Sequence, residues 1–501
     1  MSQTTPSQGS PTGFLEKFLC LRSAPRELWI IFFVYILENL AYMTGASSVL
    51  ILWLSADLKF DDVAASAMYT GWSSIMTLIT LFVGSLTDVL GIRRTFLTGM
   101  VICLVSRIIM ASSVCRWIVL PGGLYLQAVG LALMVPVMVA GVKRYSNAAQ
   151  RSVAFSLYYA LMNLGFACGS WIVDRARDEH LGLGEHGSWT MPLLGAHLST
   201  YRVLLLVSAV CSLPGLLVVW KWLREGVEMT EQGVVITPRT SAIASGKNWL
   251  VTMWDTARST AIQTGKIFGS LWGQKSFYQF LGFMSLVVGV RMVFFHLNVT
   301  FPKYAIRELG DGAPFARLTT MLNSVLILVL VPICGALTQR ITAYRMVTVG
   351  SFFSALSVFF IAVPQSWFQP LADGWLGHFI ACSWLGVQGP VNPLYVSIFF
   401  FTIFLSLGEA LWSPRLYEYS AAIAPRGQEA SYMALSLLPW FLAKLLVGGS
   451  SGFLLTHFCP ADGPRNSAMM WVIVGGMAMI TPIGALLFRK FLQVHEEGRD
   501  N

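Results

Sequence analysis

Of the ionisable side chains that fall inside long apolar stretches of this 501-residue chain, six stand away from the stretch ends or among chemistry-bearing neighbours and are candidates for function: Glu38, Arg107, Arg291, His296, Glu409 and Lys444. Such groups are expensive in hydrocarbon, about 2.5–3.5 kcal/mol each on insertion scales, and so normally face a protein interior or an aqueous cavity. Glu38 lies near the middle of its stretch, among Tyr35, Asn39 and Tyr42, and reads as a functional acid. Arg291, within VVGVRMVFFH, must find an anionic partner or a bound anion. Two readings stay open for it, a cavity-spanning pair with Glu38 and plain structural pairing. Glu409 occurs in SLGEALWSP, where Gly408 and Pro414 can bend a helix beside the acid, and it reads as a cavity group. Arg107 reads as the structural partner of a neighbouring carboxylate. Lys444 either counters Glu409 or snorkels to an interface, and His296 reads as interfacial. Acids and bases so placed can hold a small charged solute or relay a proton. No Cys/His pair has metal-ligand spacing, and no cofactor is implied.

A second constellation lies between two apolar runs. GSLTDVLGIRRT, Gly84 to Thr95, returns in weaker form as GALTQRITAYRM, Gly335 to Met346, an offset of 251 residues (335 minus 84). In the first copy Gly84 opens the motif, Asp88 precedes a tight turn at Gly91, and Arg93 and Arg94 follow it. A carboxylate at one helix end and guanidinium groups after the turn can clamp neighbouring helices in one conformation and release them in another. One half written twice, with a charged hinge after the second helix of each half, is the outline of an alternating-access carrier.

The elements that must position these residues are membrane helices. A mean hydropathy of +0.64 with 12% charged residues excludes an ordinary soluble domain. Twelve segments are long enough to cross a hydrocarbon core, near 28–54, 68–87, 95–114, 119–142, 152–173, 202–222, 277–299, 315–338, 344–364, 392–413, 428–456 and 467–488. With no water to satisfy their backbones they must be helical, so an all-α multi-pass fold of two six-helix bundles is expected. The bundles should span 28–222 and 277–488, with a tail at 1–27, a linker at 223–276 and a second tail at 489–501. Within the linker, Asn248 to Trp272 spaces apolar residues as an amphipathic surface helix would, although a loose linker anchored by tryptophans fits equally.

The net charge of +9 does not mark a nucleic-acid binder. With the amino terminus in the cytoplasm, 22 Lys and Arg fall on the cytoplasmic side, 9 outside and 3 within helices, the positive-inside asymmetry. Both termini should then be cytoplasmic, in either a plasma or an endolysosomal membrane. The 8 cysteines are scattered, and nothing in their spacing demands a Cys382–Cys459 disulfide. Long loops near 174–201 and 365–391 are expected on the outer side.

At these residues the chain resembles the major facilitator superfamily, and within it a divergent member of the proton-coupled oligopeptide transporters. FSLYYALMNLG (Phe155 to Gly165), NSVLILVLVP (Asn323 to Pro332) and GEALWSP followed by Ala424-Pro425 are similar to that family's helix 5, helix 8 and helix 10 signatures, in the right order. The resemblance implies that Tyr42, Asn163, Asn323 and Glu409 contact substrate, Glu409 facing its amino group. It implies too a bilayer-embedded monomer acting on small molecules, with or without coupled protons. There are departures. The family's helix 1 carries Glu-x-x-Glu-Arg, where this chain has Tyr35-Ile36-Leu37-Glu38-Asn39. Its helix 4 lysine corresponds to Val135, and a helix 2 tyrosine to Thr77. Arg291 is the candidate replacement for the lost positive charge.

The expected function is therefore secondary transport of small zwitterionic or anionic nitrogenous solutes, short peptides or amino acids, as uniporter or proton symporter. The alternative is a non-transporting receptor or scaffold that keeps the carrier fold. Catalysis is not expected. GGSSG, Gly448 to Gly452, fits a nucleophile pattern that needs a strand-to-helix elbow, whereas here it sits in an apolar helix, where small residues let helices pack closely.

Overall fold

The computed structural model describes residues 20–191, 195–230, 233–236, 258, 262, 272–423 and 438–493. Among them are twelve long helices: α1 (Arg26–Ala56), α2 (Asp62–Leu90), α3 (Ile92–Ser112), α4 (Arg116–Arg144), α5 (Ala148–Arg177), α6 (Thr200–Trp222), α7 (Lys275–Val299), α8 (Arg317–Leu337), α9 (Ala343–Ala362), α10 (Pro393–Ile423), α11 (Leu438–Phe458) and α12 (Ser467–Leu487). Eleven combine the length and hydropathy needed to cross a membrane; α2, with 29 residues, completes the set. The fold is all-α and multi-pass, as the composition requires.

Local chemistry sets the helix ends. α2 begins several residues before its apolar stretch because Asp61 Oδ1 accepts from the Ala64 N–H at 2.7 Å and caps it. α5 starts with a full capping box between Asn147 and Gln150. α1 breaks at Ala46, whose backbone (φ −135°, ψ −86°) is not helical. Gly91, between α2 and α3, has φ +87°, a conformation that glycine adopts without strain. Two short antiparallel hairpins, Ser188–Thr190 with His197–Ser199 and Val227–Thr230 with Gly233–Ile236, depart from the loops expected there. The proposed amphipathic segment, Asn248 to Trp272, lies almost wholly outside the described residues.

Packing follows the repeat. In the first half α1 lies against α5 and α6, and α3 against α4 and α6; in the second, α9 lies against α10 and α12, and α7 against α11 and α12. The halves meet mainly where α2 packs on α11 and α5 on α8. The approach of α2 to α11 depends on GGSSG. A Cβ at Gly448 would run into the Thr70 side chain, and one at Gly452 would stand 2.5 Å from Val63 Cα. Gly408 serves packing in the same way: its Cβ would lie 2.6 Å from the Gly350 carbonyl oxygen, so glycine brings α10 against α9.

Gly448→Val should therefore wedge α2 from α11 at a cost of about 1–3 kcal/mol, read as a melting point in detergent several degrees below wild type. An unchanged melting point would show that the two helices do not need this close approach.

Candidate functional site

In the first half the two charges deep in the spans meet each other. Glu38 on α1 and Arg107 on α3 are both buried, with Oε2 and Nη2 3.5 Å apart. Arg107 also donates to Ser212 Oγ on α6. Glu38 thus pairs within its own bundle and not with Arg291. Around this pair, Asn39 Nδ2 donates to the Tyr35 carbonyl at 2.7 Å, and the Tyr35 and Tyr158 rings stack at 3.7 Å. Asn163 is buried and donates to the Tyr159 carbonyl at 3.0 Å. Tyr42 is partly exposed, its ring 6.2 Å from that of Phe166.

The second half gathers an acid, an amide, a guanidinium and two indoles. Asn323 Nδ2, on α8, donates to Glu409 Oε2 and to Ser406 Oγ, both 3.0 Å away on α10. Arg291, on α7, attracts Glu409 electrostatically. Its guanidinium lies over the rings of Trp412 and Trp440, 4.4 Å from each centroid. Cation–π contact of this kind is worth about 2 kcal/mol or more away from water. Glu409 and Asn323 are only partly covered while Arg291 is buried, so the acid and the amide, held by a fixed cation, can receive a small polar solute.

Lys444 neither counters Glu409 nor snorkels. From α11 its Nζ donates across the bundle interface to α2, to Thr77 Oγ1 at 2.8 Å and the Ser73 carbonyl at 3.5 Å. His296 is not interfacial. It is fully buried where α7 meets α11, bonded through Nδ1 to Thr300 Oγ1 at 2.6 Å, and Thr300 bonds Ser451 on α11.

The end of the molecule away from the two termini is tied shut by groups that sequence reasoning passed over. Asp62, opening α2, takes Lys303 Nζ at 2.8 Å and Arg307 at 2.8 and 2.9 Å, both from the short helix Phe301–Leu309. Lys303 also donates to Ser55 Oγ at 2.6 Å, and Ser47 Oγ bonds Asn298 Oδ1 at 2.7 Å. On the other side Asp174, at the end of α5, accepts the N–H groups of Ala316 (3.1 Å) and Arg317 (2.6 Å) at the start of α8. Arg177 donates to the Ala313 carbonyl at 3.0 Å, lies 4.5 Å over the Phe315 ring and pairs with Glu185 at 2.5 Å. The available signal was position, an acid near a span end in one half and bases near span ends in the other. Cys382 and Cys459 are free thiols.

At the opposite end, Arg93 donates to the Trp220 carbonyl in the last turn of α6, and Arg94 pairs with Glu225 at 3.3 Å. Cations there complement the negative end of the helix dipole. The packing around Gly84 and the Asp88 side chain lies outside what is described. Between α8 and α10 a cleft of about 230 Å³ opens among residues including Thr338, Pro414, Arg415 and Glu418. Among the described residues, every side-chain hydrogen bond and ion pair between the two halves lies at the far end, except that of Lys444 near the middle.

Comparison with known proteins agrees with this architecture. Residues 29–396 match the profile of the Major Facilitator Superfamily. Among solved structures, the chain is similar to a POT family transporter in complex with 5-aminolevulinic acid, with a TM-score of 0.65 and 16% identity over 94% of this chain and 97% of that one. It is similar to the peptide transporter POT in complex with sulfate, with a TM-score of 0.65 and 17% identity over 95% and 98%. Tetrameric PepTSo2 matches with a TM-score of 0.63 and 16% identity over 93% and 98%. At these identities the likeness is one of fold.

Glu38→Gln leaves Arg107 buried without its counter-ion and should cost about 3–5 kcal/mol, while Glu38→Gln combined with Arg107→Met should recover most of it. Denaturation of the purified variants in detergent measures both. A double variant no more stable than Glu38→Gln alone would overturn the pairing.

Proposed function

The chain belongs to the major facilitator superfamily and is an integral membrane transporter, not an enzyme; from that premise we propose that it carries small zwitterionic or anionic nitrogenous solutes, short peptides or amino acids, by alternating access. The bundles 28–222 and 277–488 rock about a midplane site, and a single chain is the transport unit. The tails 1–27 and 489–501 and the linker 223–276 face the cytoplasm, in keeping with the excess of Lys and Arg at that end. The tied-off end is then the outer one, and the molecule is in a state closed to the outside.

The observation that carries this reading is the Glu409–Asn323–Arg291 cluster. A carboxylate held by an amide and a nearby guanidinium suits a substrate ammonium, and Trp412 and Trp440 keep bulk water from weakening the contact. Of the chain's relatives in fold, one was solved with 5-aminolevulinic acid, a small compound carrying an amine and a carboxylate, which supports the class of solute. Tyr42 and Asn163 would line the opposite wall.

Uptake of a dipeptide, amino-acid and small-anion panel into proteoliposomes, with and without an inward proton gradient, tests the proposal. Accumulation above equilibrium only with the gradient marks a symporter, and equilibration without it a uniporter. Glu409→Gln and Arg291→Ala should each lower uptake at least about tenfold at normal levels in the membrane, the scale of one charge-assisted contact. Wild-type uptake by both variants would sink the assignment of the site.

A further inference from the structure

We propose that Lys444 is the anchor for the substrate's carboxylate, and that it makes the cavity select solutes of net negative charge; this rests on the transport reading above. An ammonium group has three N–H donors. The protein offers Lys444 the Thr77 hydroxyl at 2.8 Å and, at 3.5 Å, the Ser73 carbonyl. The Ser73 carbonyl is itself shared with the Thr77 hydroxyl, at 2.9 Å. Both are neutral oxygens, and among the described residues no carboxylate lies within ion-pair distance of Lys444. Beside it, the buried hydroxyls of Ser73 and Ser74 have no hydrogen-bond partner. A cation in mid-membrane with a donor to spare, next to unused hydroxyls, lacks one anionic oxygen group.

Position links this gap to the site already described. Residues 440 and 444 are one turn apart on the same face of α11, about 6 Å along its axis. Trp440 is the ring under Arg291, and Arg291 acts on Glu409. The line from Glu409 through Arg291 and Trp440 to Lys444 crosses from the second half to α2 of the first. A solute whose ammonium meets Glu409 can thus offer a carboxylate to Lys444.

Charge supplies the selectivity. Among the described residues within the spans, Glu38 and Arg107 cancel, as do Glu409 and Arg291, and Lys444 leaves one positive charge over. Because an uncompensated charge is costly in the membrane, the occupied cavity is most stable when the solute brings one negative charge more than positive. The substrate class is an α-amino compound with two carboxylates, such as an acidic amino acid or a dipeptide with one acidic residue.

The test is thermal stabilisation of the purified full-length protein by Ala-Glu, Ala-Ala, Ala-Lys and glutarate, for wild type, Lys444→Gln and Lys444→Arg. Wild type should be half-saturated by Ala-Glu at about a tenfold lower concentration than by Ala-Ala, the worth of one charged contact, with Ala-Lys weakest. In Lys444→Gln the Ala-Glu to Ala-Ala ratio should fall to about one, while Lys444→Arg keeps it. An equal response of wild type to Ala-Glu and Ala-Ala, or a ratio that survives in Lys444→Gln, would overturn the proposal. Stabilisation by glutarate alone, lost in Lys444→Gln, would uphold Lys444 as the carboxylate anchor while refuting the amino-compound reading. No response of wild type to any of the four would overturn both.

Discussion

The constraint on which this structure rests is that hydrocarbon does not tolerate an uncompensated charge. Each ionised group in the spans has found a different settlement. Glu38 and Arg107 cancel inside the first bundle. Arg291 spreads its charge over two indole faces and the field of Glu409. Lys444 reaches across to another bundle for two neutral oxygens. The first pair is buried on both sides. Arg291 is buried too, while Glu409 and Lys444 are only partly covered.

The internal repeat explains where the halves touch. Ser47 and Asn298 are 251 residues apart, the same offset as the two hinge motifs, so these are equivalent positions bonded to each other. A contact between equivalents must lie beside the two-fold axis relating the halves, and here it lies at the closed end, between the Asp62 cluster and the Asp174 cluster. The same offset relates Arg93 to Tyr344. Arg93 donates to the Trp220 carbonyl near the end of α6, and the Tyr344 hydroxyl donates to the Ala485 carbonyl near the end of α12. The packing task is conserved between the copies while its chemistry has changed from guanidinium to phenol. Elsewhere the copies have parted. Gly91 with φ +87° becomes Thr342 with φ −61°, and the places of Glu38 and Arg107 are taken by Gly289 and by buried Val358.

Much of the fold was legible because hydropathy and helix length are local properties, so twelve spans and their order could be read from runs of residues. The site was legible only in part. That Glu38, Arg107, Arg291, Glu409 and Lys444 needed partners followed from their place in apolar runs. Which partner each found did not, since that depends on rotation of helices hundreds of residues apart. Glu38 could be matched to Arg291 by topology, yet α3 stands nearer. Trp440 gave no signal at all, being one aromatic residue among many in a membrane protein. The closing clusters were hidden for another reason: Asp62, Asp174, Lys303 and Arg317 sit near span ends, where charges are ordinary, and only the docking of two bundles makes them a lock.

That lock and the site share a helix, which bears on how binding can move the bundles. On α11, Trp440 supports Arg291, Lys444 bonds α2, and Gly448 and Gly452 let α2 come close enough to seat Asp62 against Lys303 and Arg307. These four positions recur at intervals of four residues, so they form one slowly turning stripe from the candidate site to the closure at the end away from the termini. An anionic group on the spare donor of Lys444 would add a contact beside the Thr77 and Ser73 oxygens, at what is, among the described residues, the one polar tie between the halves near the middle. A ligand shifts a conformational equilibrium only by its differential contact with the two states, and along this stripe that contact would be the substrate oxygen that the spare donor of Lys444 gains while its other donors hold α2.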